Sequence, residues 1–208
     1  RSWTGFTNDQ DVFSVAPILE DRDGNIWVKT LNGDIRRFDG RIWRNYSRQE
    51  YPGLTNIEDM HQDREGNIWF KSLTNGITRF DGQAWMHFTT ADGLADNNTV
   101  GRLFEDRDGN IWIATDRGVN RYDGREWTTF TTLDGLSYDK SLPTTQDQTG
   151  VIWFASEGGI SRYDGTAFQG LTTRDGLPDN RIYTVYTDRD NDISLGSTTG
   201  LIRYRPSR

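Results

Sequence analysis

Acidic side chains with the spacing of a cation site recur along the chain. Asp21, Asp23 and Asn25 alternate, as the oxygen ligands of a calcium loop do. Such a loop also needs a third acidic position and a distal bidentate Glu, which the sequence does not supply here. Because Asp, Asn and Gly are also the residues that build tight turns, we interpret the pattern as a turn and predict no metal site.

Basic side chains form a second repeated set. An Arg followed by an aromatic residue occurs five times, at Arg37, Arg79, Arg121, Arg162 and Arg203. A guanidinium group can bind a carboxylate or sulfate ligand. Fivefold repetition instead favours a structural role, in which the Arg stacks on a ring or pairs with a turn carboxylate.

Two lysines interrupt a repeated pattern of small residues. Lys29 and Lys71 each stand two residues after a Trp, where three other repeats have Ala or Gly. Two ammonium groups there could hold an anionic ligand at the mouth of a channel. They could equally pair with the neighbouring carboxylates, and the pattern favours this second interpretation. The carboxylates in question are those of Asp34, Glu58 and Asp59.

Motifs for catalysis are missing from the sequence. It contains no Gly-x-Ser-x-Gly elbow, no His-Glu-x-x-His and no phosphate-binding Gly loop followed by Lys and Ser or Thr. With no Cys, it has no thiolate nucleophile, and its two His residues are too few for most metal catalysis. We expect no catalytic residue, no cofactor and no enzyme activity.

A recurring phrase of the form Asp-Arg-Asp-Gly-Asn-Ile-Trp positions these residues. It returns at intervals of about 42 residues, ending at Trp27, Trp69, Trp112, Trp153 and, in a weaker copy, Ser194. A second aromatic series keeps the same period, at Trp3, Trp43, Trp85, Trp127 and Phe168. In both series, counting through the C-terminus back to the first member again gives about one period, so the chain holds five whole repeats.

Each repeat is typical of four short strands joined by turns. In the second repeat we predict strands over 57–62, 68–72, 77–80 and 84–88, with an Asp-Gly turn before the last. The sequence therefore predicts an all-β fold, a five-bladed β-propeller of four-stranded antiparallel blades. We place all of it in one domain, 1–208, with blade cores near 12–46, 55–88, 98–130, 139–171 and 180–205 plus 1–7.

The two ends of the sequence look like parts of one blade. The last Arg-aromatic pair is followed by Arg205-Pro206 in place of Asp-Gly, and Ser2–Thr7 matches the fourth strand of the other blades. We expect this N-terminal strand to pair with the C-terminal strand, so that Trp3 lies beside Tyr204. Such pairing closes the ring and covers the sheet edge that terminal repeats expose.

Composition limits the partners. The 208 residues are 33% hydrophobic and 12% aromatic, with 8 Trp, so the core must use few but large side chains. The net charge of -7 and the lack of any basic block would repel a phosphate backbone, and we predict no nucleic-acid partner. No apolar run approaches a membrane span, and we expect no membrane insertion. The start at Arg1, without an initiator Met or signal segment, suggests a mature or excised chain.

The third repeat resembles the two-component regulator propeller repeat. The residues that carry the likeness are Val100, Leu103, Asp106, Gly109, Ile111-Trp112-Ile113-Ala114-Thr115 and Gly118-Val119-x-Arg121-Tyr122-Asp123. All five copies share parts of this pattern. The resemblance implies a propeller like those in the sensor portion of two-component regulators, and a periplasmic or extracellular location. Proteins similar to this usually have more blades.

The predicted rims differ in uniformity. The turns after the first and third strands repeat almost verbatim, whereas the loops after the second strands vary. Because repeated residues serve the blade, we expect a small molecule, a glycan or a protein to bind at the variable rim. The candidate ligand-binding residues are Lys29, Lys71, Tyr51, Asp116, Arg117, Tyr138, Glu157 and Arg181.

Three alternatives to a non-enzymatic binding module remain open. A five-bladed sugar-binding lectin would carry one site per blade. An engineered or recently amplified ring of blades would need no ligand. Virginiamycin-type lyases resemble the chain in their Trp-containing strand, but such an enzyme needs a His-containing metal site. His61 and His87 fall in the first and fourth predicted strands of one blade, which disfavours that reading.

Overall fold

A computed structural model describes the chain from Phe13 to Arg205, and its side chains from Leu19 onwards. The chain divides into two compact units, the first ending at His87 and the second beginning at Phe88. The first unit holds two antiparallel sheets. The strands of the first sheet are β1 (Phe13–Glu20), β2 (Ile26–Thr30), β3 (Ile35–Phe38) and β4 (Trp43–Tyr46). Those of the second are β5 (Ile57–Gln62), β6 (Ile68–Ser72), β7 (Ile77–Phe80) and β8 (Trp85–Phe88).

The second unit holds three antiparallel sheets. The third sheet consists of β9 (Thr99–Glu105), β10 (Ile111–Thr115), β11 (Gly118–Tyr122) and β12 (Trp127–Phe130). The fourth consists of β13 (Leu142–Gln146), β14 (Ile152–Ser156), β15 (Gly159–Tyr163) and β16 (Phe168–Leu171). The fifth consists of β17 (Ile182–Thr187), β18 (Ile193–Ser197) and β19 (Gly200–Tyr204).

The all-β prediction is confirmed, with strands ordered by sequence in every sheet. In the second repeat the first three strands have the predicted bounds, and the fourth begins at Trp85, one residue later than predicted. Asp-Gly and related turns set these bounds because Gly adopts the positive φ that a tight hairpin needs, as at Gly82 (φ 95°). The expected pairing of Trp3 with the strand of Tyr204 lies outside the described residues.

Neighbouring sheets within a unit meet through their first strands. β1 lies beside β5 in the first unit, and β13 lies beside both β9 and β17 in the second. Each first strand also leaves the ladder of its partner at one irregular point, such as between Ile182 and Thr184. In the fourth sheet this point follows Pro143, but an irregularity of this kind occurs in all five sheets.

Large aromatic side chains fill the space between neighbouring sheets. Trp27 packs edge-on against Phe70 of the next sheet at 5.7 Å between ring centroids, and Trp112 packs in the same way against Phe154 at 5.6 Å. Both Trp side chains are almost completely buried. Few but large core residues thus hold the sheets together, as the low hydrophobic content predicts.

Three of the connections between consecutive sheets contain the same short 3-10 turn. The turns are Thr90–Asp92, Thr132–Asp134 and Thr173–Asp175. Each begins with a reciprocal capping box between a Thr and an Asp and ends at a Gly in the left-handed conformation. These three connections are therefore uniform, whereas the connection from the first sheet to the second has a 3-10 turn at Pro52–Leu54 without a side-chain cap.

Candidate functional site

A hydrogen bond from an indole to a carboxylate locks the repeated turn in four sheets. In the third sheet, Trp112 Nε1 donates to Asp106 Oδ2 at 2.7 Å, while Asp106 Oδ1 accepts the backbone N–H groups of Asp108 and Asn110. The equivalent pairs are Trp27 with Asp21, Trp69 with Asp63 and Trp153 with Asp147. These buried carboxylates satisfy donors of their own turns, so the prediction of a turn-building role is confirmed.

The hydrogen bonds also set the acidity of the first of these carboxyls. Burial pushes the pKa of Asp21 upwards, since it penalises the charged form. Bonds from the Trp27 indole and from Asn25 outweigh that effect, and the pKa of Asp21 lies below its ordinary value. The turn therefore holds a carboxylate, not a carboxylic acid, over the whole neutral range.

Four of the five repeated Arg side chains have structural roles as well. The guanidinium groups of Arg37, Arg79 and Arg121 lie over the rings of Trp27, Trp69 and Trp112, at 5.5, 5.9 and 5.8 Å from their centroids. Arg203 instead pairs with Asp188 and Asp192. Stacking on a ring or pairing with a turn carboxylate were the two structural roles predicted for this series.

The two lysines of the first unit are engaged by their own surroundings. Lys71 is 2% exposed and its Nζ lies 3.3 Å from Glu58 Oε2, which confirms the ion-pair interpretation for that residue. Lys29 Nζ donates to the backbone carbonyl of Ile57 at 2.8 Å, so it reaches from β2 to the first residue of the next sheet. Contact of either lysine with a ligand stays a prediction.

A cavity of about 320 Å³ opens in the second unit, at the end of the sheets where the loops after the second strands lie. The first strands of all three sheets of this unit border it, together with the end of β14 and the connection into β13. Its lining consists of Val100, Gly101, Tyr138, Lys140, Leu142, Ala155, Ser156, Glu157, Ile182 and Tyr183. The predicted site residues Tyr138 and Glu157 thus meet in one place.

Two backbone features position the aromatic residues of the cavity. Tyr183 sits where β17 leaves its ladder, between the pairs Ile182 with Ser197 and Thr184 with Gly196. A bulge of this kind re-aims a side chain out of the regular alternation. Tyr138 lies over Gly158, where an added Cβ would come within 2.8 Å of the Cβ of Tyr138. Only glycine therefore allows this tyrosine to lie so close to the loop after β14.

The charges of the cavity are unequally paired. Lys140 Nζ lies 2.7 Å from Asp116 Oδ1, so the cation of the cavity is balanced by a second predicted site residue. Arg117 pairs with Asp96 at 3.2 Å, and this pair lies outside the lining. Glu157 is exposed and has no ion-pair or hydrogen-bond partner among the described residues. The cavity therefore carries one carboxylate without a matching cation.

The other predicted site residues lie elsewhere. Tyr51 packs on Trp85 at 5.0 Å between ring centroids, as part of the core of the first unit. Burial, and then the neighbouring charge of Glu50, raise the pKa of Tyr51 above its ordinary value. The backbone N–H of Arg181 donates to the carboxylate of Asp179 at 3.0 Å, which shapes the entry to β17.

Of the ten residues that line the cavity, only Tyr138 and Glu157 were predicted from the sequence. Lys140 and Tyr183 were not among the predicted ligand-binding residues, although both line the cavity. Tyr183 is the second residue of β17, two residues after Arg181, and is 59% exposed. The available signal was a large aromatic residue near the start of a short strand. Its exposure, however, depends on a bulge in β17, and no sequence motif indicates that bulge.

A second, more apolar groove of about 410 Å³ runs along β19, the outer strand of the three-stranded sheet. Trp153, Leu171, Ile202 and Tyr204 contribute to its walls, and Leu201 beside it is 79% exposed. In each of the other four sheets a fourth strand beginning with or containing a large aromatic residue lies at the corresponding edge. The groove therefore marks an edge that is left uncovered by the described residues.

Among residues 13–205, no group of three or more His, Asp or Glu side chains is placed to hold a metal ion. Within that same part of the chain, no helix has the length and apolar character needed to cross a membrane.

Solved structures with the same fold support the propeller class. The chain superimposes on the extracellular domain of BT3049, a proposed hybrid two component system from B. thetaiotaomicron, with a TM-score of 0.74 and 20% identity over 98% of the chain. Virginiamycin B lyase from Staphylococcus aureus, in a catalytically inactive form with quinupristin, gives 0.61 and 14% over 90%. The WD40 beta propeller domain of Doa1 gives 0.58 and 15% over 88%. At these identities the likeness concerns the fold alone.

The matches also differ in how much of each structure they cover. The chain spans 29% of the BT3049 structure, 68% of the lyase and 60% of the Doa1 domain. Residues 93–117 match the sequence profile described as Two component regulator propeller, which confirms the resemblance found in the third repeat. No curated protein sequence matches the chain significantly.

Proposed function

We propose that the chain is a non-enzymatic binding module that works outside the cytoplasm, in the manner of the sensor propeller of a two-component regulator. Its ligand, a small molecule, a glycan or a segment of a protein, binds in the cavity bordered by Tyr138, Glu157 and Tyr183. The likeness to an extracellular two-component domain supports the location and the sensor role. The cavity supports the place of binding.

A single observation carries the proposal: the cavity is lined by a small residue at the position where the first sheet has a lysine. Ala155 lies two residues after Trp153, the position that holds Lys29 in the first sheet. Lys29 reaches the carbonyl of Ile57, whose place in the fifth sheet is taken by Ile182, a residue of the cavity wall. A lysine in place of Ala155 would cross this space. The small residue leaves it open for a ligand.

We also propose that residues 1–7 complete the fifth sheet, so that the chain forms a closed ring of five blades. The uncovered edge of β19 and the apolar groove beside it support this arrangement, because an unpaired edge with apolar walls is normally covered. By analogy with the pairs Tyr122 with Trp127 and Tyr163 with Phe168, Tyr204 would pair with Trp3.

The substitution Ala155→Lys tests the binding proposal, because it introduces the residue that the first sheet has at the equivalent position. A library of small molecules, oligosaccharides and short peptides is screened for ligands that raise the melting temperature, since any ligand of the folded state stabilises it. Ligands that stabilise the unmodified protein are expected to lose their effect on the Ala155→Lys variant, because the lysine side chain occupies the cavity.

A matched variant separates binding from general damage. Tyr186 is 63% exposed on the same strand as Tyr183 but does not line the cavity. Tyr186→Leu should keep every ligand that the unmodified protein binds. Ligands that stabilise the Ala155→Lys variant as strongly as the unmodified protein would place binding elsewhere and overturn the proposal.

A further inference from the structure

Two aromatic side chains in the walls of the cavity are exposed to solvent. Tyr138 is 44% exposed and Tyr183 is 59% exposed, and both line the same opening. The quadrupole of an aromatic ring gives its faces a negative electrostatic potential. Such a ring therefore attracts a cation that loses part of its hydration shell on binding. The aliphatic side chains of Val100, Leu142 and Ile182 also line the cavity, and they suit the methyl or methylene groups of an organic ion better than a hydrated metal.

The charged groups of the cavity favour the same sign. Lys140 is already balanced by Asp116 at 2.7 Å and does not offer a spare positive charge. The carboxylate of Glu157 has no partner among the described residues. The whole chain carries a net charge of -7, which raises the local concentration of cations and repels anions.

We infer that the cavity binds an organic cation, with an ammonium group held between the faces of Tyr138 and Tyr183 and balanced by the carboxylate of Glu157. This inference rests on the proposed function, since it names the ligand class of the same cavity. The ligand class includes quaternary and alkylated amines. The unpaired carboxylate repels an anionic ligand and attracts a cation more strongly than a neutral ligand.

Choline and 3,3-dimethylbutan-1-ol form a matched pair of probes, because carbon replaces the charged nitrogen of choline in the alcohol while size and shape are kept. Binding of both is measured by isothermal titration at low and at high salt. Choline is expected to bind more tightly than the alcohol by about three- to fivefold, the range of an exposed cation–aromatic contact. Salt should weaken choline alone.

Three variants assign the effect to residues. Glu157→Gln keeps the shape of the side chain and removes its charge, and it should weaken choline by about two- to fivefold with no effect on the alcohol. Tyr183→Leu should weaken choline by a similar factor, and Tyr186→Leu should leave it unchanged. A melting curve for each variant verifies that the fold is intact.

The outcomes separate this inference from the proposed function. Equal binding of choline and the alcohol, both lost in the Ala155→Lys variant, would overturn the choice of a cation and leave the cavity as the binding site. Choline binding that survives both Glu157→Gln and Tyr183→Leu would overturn the assigned contacts. A lack of choline binding at millimolar concentration, while other ligands bind the cavity, would likewise overturn the inference.

Discussion

The guanidinium of Arg203 donates to Asp188 Oδ2 at 3.0 Å, and so occupies in the fifth sheet the place that a tryptophan indole occupies in the other four. Ser194 stands at the position of that missing tryptophan. Backbone N–H groups of Asp190 and Asp192 still donate to Oδ1 of Asp188, as in the other turns. The turn therefore has the same backbone geometry as the others. The hydrogen bond to Oδ2 of Asp188, however, comes from a half-exposed guanidinium and not from a buried indole.

This difference predicts unequal sensitivity of two equivalent carboxylates. The indole N–H of Trp153 donates to Asp147 Oδ2 at 3.0 Å. In Asp147→Asn, the side-chain oxygen would still accept the backbone N–H groups of the turn, so the NH2 group would face the indole N–H. Leaving that buried donor unsatisfied should cost about 1–3 kcal/mol of unfolding free energy. Asp188→Asn should cost clearly less, since water can replace the exposed partner Arg203. Urea unfolding of both variants measures the difference, and equal losses would contradict the assignment.

The hairpin turns after the third strands predict an acid-sensitive stability. Backbone N–H bonding from Ala167, followed by the hydroxyl and N–H of Thr166, lowers the pKa of Asp164 from 3.8 to about 2. Because the folded pKa lies below the unfolded one, this contribution is complete above about pH 4 and is lost as the pH falls through 2. Asp39, Asp81 and Asp123 have their pKa lowered in the same direction by the same kind of bonds.

The pH prediction has its own control. Asp164→Asn removes the titrating group while keeping an acceptor for the turn. Its unfolding midpoint in urea should therefore change less between pH 4 and pH 2 than that of the unmodified protein. Identical pH profiles for the two proteins would show that the turn carboxylate does not contribute.

The buried lysine predicts an asymmetric pair of substitutions. Glu58→Ala removes the partner of Lys71 and leaves an ammonium group at 2% exposure, which should cost about 1–3 kcal/mol of unfolding free energy. Lys71→Met keeps the volume, and Glu58, whose side chain is 46% exposed, returns to water. We expect this variant to be as stable as the unmodified protein or more so, because replacing a buried ion by an apolar residue is often neutral or favourable. Thermal unfolding distinguishes the two, and the reverse order of stability would be inconsistent with the ion pair.

The proposed completion of the fifth sheet predicts a specific cross-link. Arg121 pairs with Thr128 and Arg162 pairs with Gln169 across the third and fourth strands of their sheets. By the same register Arg203 would pair with Thr4, and the protein has no native Cys to interfere. Mild oxidation of the double variant with Thr4→Cys and Arg203→Cys should give an intramolecular disulfide, detected by peptide mapping. The control with Thr4→Cys and Arg162→Cys should not, and equal cross-linking of both would reject the closure.

Much of the fold could be predicted from the sequence because its turns are local. The Asp-Gly turns and the period of about 42 residues sufficed to place the strands of the second repeat to within one residue. The capping boxes at Thr89 and Thr131 are equally local, but the sequence analysis did not predict them. That local signal was Thr, then Asp three residues later, then Gly.

The candidate site was predictable only in part. Tyr138 and Glu157 could be selected because they stand in connections that vary between repeats. The part played by Tyr183 depends on a bulge in β17, and the neutralisation of Lys140 depends on its approach to Asp116 across 24 residues of sequence. Contacts of this kind are set by packing between sheets, which periodicity does not determine.

The place of binding can be measured directly by nuclear magnetic resonance of the isotope-labelled protein. A mixture of small cationic, anionic and neutral fragments is titrated, and the shifted backbone amides are mapped. If the ligand binds in the proposed cavity, the largest shifts will cluster at Gly101, Tyr138, Lys140, Glu157 and Tyr183. Shifts that cluster instead around Lys29 and Lys71, or along β19, would contradict the proposed place of binding.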